Sequence, residues 1–271
     1  MILFPLVSLV CSYLNYTVPF NSNPAWEGLS NLVIVACHAV YTAQDFFAPE
    51  SDASWALQEY QKGEPPAYIQ HIEAGVQRAF EDPSTLLLFS GGQTRVDAGP
   101  KSEAQGYWML AENARWWNLP VKHRVSTEEF ARDSFENLLF GICRFFECVQ
   151  EYPDRVTVVS WAFKAERFDL HREAIHLPVA KFEFVGVNNP DDLQAALEGE
   201  RRYGVHPFLS DPYGAGPPSG FSGLSVVNLA AKRIARNPFR RHAPYELSCP
   251  HLAGLLRHRG PALFAGELPW S

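Results

Sequence analysis

Short apolar runs rich in β-branched residues alternate along this chain with longer segments of helical period, and that alternation constrains the fold more than any other feature. The runs are NLVIVAC (31–37), STLLLFS (84–90), VKHRVS (121–126), RVTVVSW (155–161) and AKFEFVGV (180–187). Strands as continuously apolar as LVIVA and VTVV suit a sheet covered on both faces, since a solvated face would place polar residues at every second position. Between the runs, AYIQHIEAGVQRAF sets Ile69, Ile72, Val76 and Phe80 along one helical face. DSFENLLFGICRFFECVQEY carries a stripe through Leu138, Leu139, Ile142, Phe145, Phe146 and Val149. SWALQEYQ (54–61), residues 102–116 and PDDLQAALEGERRYG (190–204) also read as helices, the last closed by Gly204.

The expected fold class is α/β: a Rossmann-like, doubly wound, mainly parallel five-stranded sheet with a C-terminal helical cap. Residues 1–30 read as a leader or extension, 31–204 as the α/β domain, and 205–271 as a loop and helical extension packed on it. That extension begins with the Pro- and Gly-rich HPFLSDPYGAGPPSGFSG and continues into the helical LSVVNLAAKRIARN and SCPHLAGLLRHRG.

A net charge of −7 argues against a general nucleic-acid binder, which needs a basic surplus. Five scattered cysteines, none in a C-x-x-C pair, read as reduced thiols of a cytoplasmic protein, and the nine histidines contain no metal-binding spacing. The apolar start, MILFPLVSLVCSYL, is too short to span a bilayer comfortably and lacks a basic region before it. Membrane association through this segment is the alternative location.

In an open α/β sheet, ligands bind beyond the carboxyl ends of the strands, so the residues just past each strand matter most. Cys37 and His38 come after the first; Ser90, Gly91 and Gly92 end the second, with Glu103 opening the next helix. Arg132, Ser134, Glu136 and Asn137 surround another helix start, and Ser160, Lys164 and Arg167 come at and after the end of the fourth strand. Ser102-x-x-Gln105 and Asp133-x-x-Glu136 fit helix capping boxes. Lys164 and Arg167, three apart, share a helix face and could clamp an anion. The Gly91-Gly92 pair is either a tight turn or a place where a ligand reaches main-chain N–H groups.

Taken in order, FSGG (89–92), SEA (102–104), ARDSFEN (131–137) and VTVVSWAFKAER (156–167) resemble the domain-of-unknown-function family that includes the bacterial proteins SanA, ElyC and YdcF. LVIVACHAVY, YQKGEPPAYIQHIEAG, DPYG and KRIARNPF look like its eukaryotic, mainly fungal branch. The resemblance spans about residues 31–258. It implies a Rossmann-like fold, a link to cell-envelope processes in bacteria, and S-adenosylmethionine as a ligand, an association of YdcF. Carried over by position, the family's polar set falls on Ser90, Gly91, Gly92, Glu103, Arg132, Ser134, Glu136, Asn137, Ser160 and Arg167. The chain departs at Cys37-His38, where the bacterial proteins are glycine-rich; at Asp133, where they carry asparagine; and at Lys164, where they carry histidine. A lysine there favours charge binding over acid–base work.

The sequence therefore leads to a small-molecule ligand, an anionic or nucleotide-like metabolite, held at the strand ends by those residues. If the chain is a catalyst, His38 is the acid–base candidate and Cys37 the weaker, nucleophilic one. The alternative is a non-catalytic interaction protein using the basic segment KRIARNPFRRH, with Lys232, Arg233, Arg236, Arg240 and Arg241.

Overall fold

A computed structural model describes residues 23–216, 227–236 and 240–271. The apolar start and much of the Pro- and Gly-rich loop lie outside the described residues. Five strands form one all-parallel sheet: β1 (Asn31–Ala36), β2 (Thr85–Ser90), β3 (Val125–Glu128), β4 (Arg155–Ser160) and β5 (Phe182–Gly186). Their order is β3-β2-β1-β4-β5, and every pairing is parallel. The direction of winding reverses between β1 and β4, the switch point at which open α/β sheets form a ligand-binding crevice beyond the carboxyl ends of the strands. The chain is a Rossmann-like α/β protein.

Alternation along the strands sorts the two cores. Val33, Val35, Leu87, Phe89 and Val159 face α1 (Pro65–Glu81) and α2 (Glu103–Asn113). Leu32, Ile34, Leu86, Leu88, Val156 and Val158 face α3 (Ser134–Val149) and α4 (Ala165–Ala174). Both faces are thus dry, as the continuous apolar runs require.

Several local readings are corrected. SWALQEYQ is a short ribbon strand, Trp55–Ala56, paired with Val40–Tyr41 and followed by a 3-10 turn at Glu59–Gln61. The third strand starts at Val125 rather than 121, because Lys122–Arg124 is a 3-10 turn held by Arg124 Nη1 donating to Asp82 O and Thr85 O. Along α1 the buried face is Tyr68, His71, Ile72, Gly75, Val76 and Ala79, while Phe80 is exposed. A Cβ on Gly75 would stand 2.2 Å from Val35 Cγ2, so the small residues mark the face that presses on the sheet. Gly204 does not close a helix. α5 (Leu193–Glu200) runs into a π-helical turn, Arg201–Val205, and then α6 (His206–Ser210). Of the helix read across LSVVNLAAKRIARN, the described residues 227–236 are helical only over α7 (Leu229–Ile234).

The C-terminal segment packs on the second face of the sheet. Tyr245 of α8 (Tyr245–Ser248) and Leu255 of α9 (Ala253–Arg257) join that core with Trp270, whose Nε1 donates to Ile175 O at 2.9 Å.

Candidate functional site

One half of each expected capping box forms, the cap side chain accepting from the helix. Gln105 Nε2 donates to Glu129 and the Glu136 carboxylate accepts from Arg132 instead of closing the box. Ser102 Oγ accepts from Gln105 N at 3.0 Å and Asp133 Oδ1 from Glu136 N at 3.0 Å, fixing the starts of α2 and α3 at the strand ends. The sequence-derived residues then divide into three groups.

The first group is a closed joint between β2, β3 and α3. Ser90 Oγ donates to Glu128 Oε2 at 2.6 Å, and Asn137 Nδ2 donates to Ser90 O and Oγ at 2.8 and 3.0 Å. Glu128 also accepts from Phe130 N at 2.7 Å and Tyr245 OH at 3.1 Å. Burial pushes its carboxyl up to about 7 against these donors. The glycine pair belongs here too. Gly91 N donates to Glu128 O at 3.0 Å and Gly92 N to Ala131 O at 2.7 Å. A Cβ on Gly91 would lie 2.8 Å from Cys37 Cβ; one on Gly92 would lie 2.7 Å from Ala131 O. The reading of these two amides as a ligand cradle is therefore corrected: both are spent within the fold, and the glycines permit close packing of the strand ends.

The second group is a set of ion pairs at the start of α3. Arg132 Nε donates to Glu136 Oε2 at 2.8 Å, and its Nη2 pairs with Glu136 Oε1. Arg233, from α7, sits 2.6 Å from Asp133 Oδ2 and donates to Tyr213 O and Gly214 O. Burial would raise the Asp133 carboxyl, but Arg233 outweighs it and holds it at about 2. Ser134 Oγ lies 2.8 Å from Nε2 of the buried His171. The basic C-terminal segment is thus not a uniform solvated patch, because Arg233 is buried in internal pairs.

The third group lines the crevice between β1 and β4. His38 comes just after β1, and its Nδ1 is 3.4 Å from Lys164 Nζ at the entrance to α4. Among the described residues no carboxylate lies within ion-pair distance of Lys164. Burial, then the neighbouring Arg167, draws the Lys164 ammonium down to about 8. Burial, then Lys164, keeps the His38 imidazole well below its ordinary value, hence neutral at pH 7. Arg167 does not share this freedom: its guanidinium is 2.7 Å from the Glu200 carboxylate. Gly204 makes room for that pair, since a Cβ there would be 3.2 Å from Arg167 Cζ. Glu103, at the first position of α2, accepts from Thr94 Oγ1, and burial raises its carboxyl. Glu64, bonded by Tyr68 OH at 2.5 Å, is raised likewise. Ser160 Oγ, at the end of β4, is buried with no hydrogen-bond partner among the described residues.

Cys37 is buried beside this crevice, and burial raises its thiol well above the ordinary value, the opposite of what an activated nucleophile needs. Sequence reasoning missed the residues that back His38. His38 Nε2 lies 3.2 Å from His71 Nδ1, His71 Nε2 lies 2.8 Å from Asn188 Oδ1, and Asn188 Nδ2 donates to Gln70 Oε1 at 2.6 Å. The available signal was the small-residue face of α1, which places His71 inward. Among the described residues, no three His, Cys, Asp or Glu side chains are grouped to hold a metal ion, and no helix is long and apolar enough to cross a membrane.

The chain is similar to the uncharacterized protein YOR238W of Saccharomyces cerevisiae, 26% identical, with 79% of this chain and 86% of the yeast chain covered. No family model and no solved structure matches it.

Proposed function

We propose that this protein binds a small anionic or nucleotide-like metabolite in the crevice between the ends of β1 and β4. One observation carries the reading: Lys164 stands at the reversal of strand order with a neutral histidine at 3.4 Å and, among the described residues, no carboxylate paired to it. Lys164 is half-buried, and the Glu200, Glu64 and Glu103 carboxylates favour its charge only from a distance, so a bound anion in direct contact would offset the cost of its partial burial. His38, neutral with a lone pair to offer, is the proton acceptor if the bound molecule is also transformed.

The resemblance to the SanA, ElyC and YdcF family belongs to this reading. Its support is that Glu103, from SEA, and Ser160 and Arg167, from VTVVSWAFKAER, lie at the same ends of the sheet strands. S-adenosylmethionine enters as one ligand to test, together with nucleotides and sugar phosphates. The interaction-protein alternative is weakened by the burial of Arg233.

The test is a thermal-shift screen of those metabolites on the full chain, with Lys164→Gln as the control. A ligand at a hundred times its dissociation constant adds roughly 2.7 kcal/mol, a readable shift. Lys164→Gln is a better control than Arg167→Ala, which strands the Glu200 carboxylate and lowers stability by itself. A shift that survives intact in Lys164→Gln would place the ligand elsewhere.

A further inference from the structure

We infer that the ligand of this crevice carries a hydroxyl group beside its anionic group, and that His71 and Asn188 are positioning residues that make His38 Nδ1 the acceptor for that hydroxyl. The inference rests on the anion site of the proposed function and deepens it.

With the Asn188 and Gln70 amides oriented as they are, one chain of hydrogen bonds sets the hydrogens on both rings. Asn188 Nδ2 donates to Gln70 Oε1, so the Asn188 atom turned toward His71 is its carbonyl oxygen, 2.8 Å from Nε2. A carbonyl oxygen only accepts, so His71 Nε2 carries the hydrogen. His71 is neutral, because burial draws it down to about 4, and its Nδ1 is therefore bare. That bare nitrogen faces His38 Nε2 at 3.2 Å, which must carry the hydrogen in turn. His38 is neutral as well, so its remaining nitrogen, Nδ1, presents a lone pair. The backbone holds the ring in place: Tyr107 OH accepts from His38 N at 3.2 Å, and Gln61 Nε2 donates to His38 O at 2.8 Å. Tyr68 and Trp161 flank the ring, at centroid distances of 5.4 and 6.3 Å.

The ligand-facing surface is then a lone pair and an ammonium side by side. At 3.4 Å the ammonium is a loose partner for Nδ1, which an approaching donor can replace. A carboxylate or phosphate oxygen satisfies Lys164 but repels the Nδ1 lone pair. A hydroxyl satisfies Nδ1 and gives nothing to the ammonium that water does not. A molecule with both groups adjacent satisfies both atoms, and hydroxylated phosphate esters or hydroxy acids are of that class.

The experiment has two arms, both on the full chain. Long-range proton–nitrogen NMR correlations at pH 7 read the tautomer of each ring without any ligand. Both His38 and His71 are expected with hydrogen on Nε2, and Asn188→Ala is expected to release His71 into a tautomer mixture. Hydrogen on Nδ1 of His38 overturns the inference. In the second arm, calorimetry compares glycerol 1-phosphate with propyl phosphate, which has the same charged group and no hydroxyl. The hydroxylated ester is expected to bind about fivefold tighter, one net hydrogen bond. Asn188→Ala should shrink that preference while leaving propyl phosphate binding unchanged, an effect that mere loss of stability would not produce. Equal affinities, with both esters still dependent on Lys164, overturn the inference and leave the anion site standing. If neither ester binds, the anion site falls and takes this inference with it.

Discussion

Replacing Gly92 by alanine separates packing from ligand approach at the end of β2. The new Cβ would stand 2.7 Å from Ala131 O, 2.9 Å from Glu129 O and 3.0 Å from the Phe130 carbonyl carbon, all backbone atoms that cannot swing aside. Gly92 does not have a positive φ, so alanine suffers no dihedral penalty and its whole cost is steric. Overpacking of this kind costs roughly 1–3 kcal/mol. Pushing the β3–α3 loop away also strains the 2.7 Å bond from Gly92 N to Ala131 O, worth about 1 kcal/mol net. The reduced entropy of the unfolded chain returns about 0.4–1 kcal/mol. The net expectation is a loss of about 1–3 kcal/mol, read as a lower urea midpoint at unchanged slope. Gly91→Ala meets Cys37 Cβ and Glu103 Cβ, each 2.8 Å away and fixed by its own backbone, and should cost a comparable amount. A Gly92→Ala protein with wild-type stability that has lost only ligand binding would refute the packing argument and restore the amide cradle.

Other perturbations test the joints around the site. Arg233→Met leaves Asp133 without its buried cation and Glu136 with Arg132 alone, and should cost about 3–5 kcal/mol in urea denaturation, partly recovered by adding Asp133→Asn. Asp133 titrates at about 2, below the ordinary carboxylate range, so its contribution is present above roughly pH 4 and lost as pH falls through 2. Asp133→Asn should flatten that acid limb. Glu128 has the opposite sign: raised to about 7, it favours the folded state when protonated. Stability should therefore fall between about pH 4.5 and 7 as the unfolded chain ionises first, and Glu128→Gln should flatten the fall.

The layered architecture was legible because both faces of the sheet are buried, leaving LVIVA and VTVV with no reason to carry polar residues. Ser102 and Asp133 were legible as caps because a capping side chain bonds its own helix, so its partner is near in sequence. The failures were of two kinds. Short polar segments such as Glu59–Gln61 and Lys122–Arg124 satisfy their backbone locally and carry no period. The buried face of α1 was misjudged because close approach to the sheet selects Gly75 and Ala79 over larger apolar residues. The site was legible in part. His38 and Lys164 were found from their places after strands, but polar side chains after a strand can be spent inside the fold, as Ser90 and Asn137 are. Nothing local separates those from Lys164, because the groups that complete their joint, Glu128 and Tyr245, lie far along the chain. His71 and Asn188 were invisible for the same reason: their link spans α1 and the end of β5.

If Lys164 is the anion-binding cation of the β1–β4 crevice, calorimetric titration of a phosphate ester against pH shows it most directly. Saturable binding is expected at pH 7, weakening as pH rises past about 8, where the ammonium loses its proton. That binding should be lost in Lys164→Gln with the melting temperature preserved or raised, since no ion pair among the described residues is broken and the cost of the unpaired cation is removed. Equal affinity in the wild type and Lys164→Gln across that range would contradict the assignment.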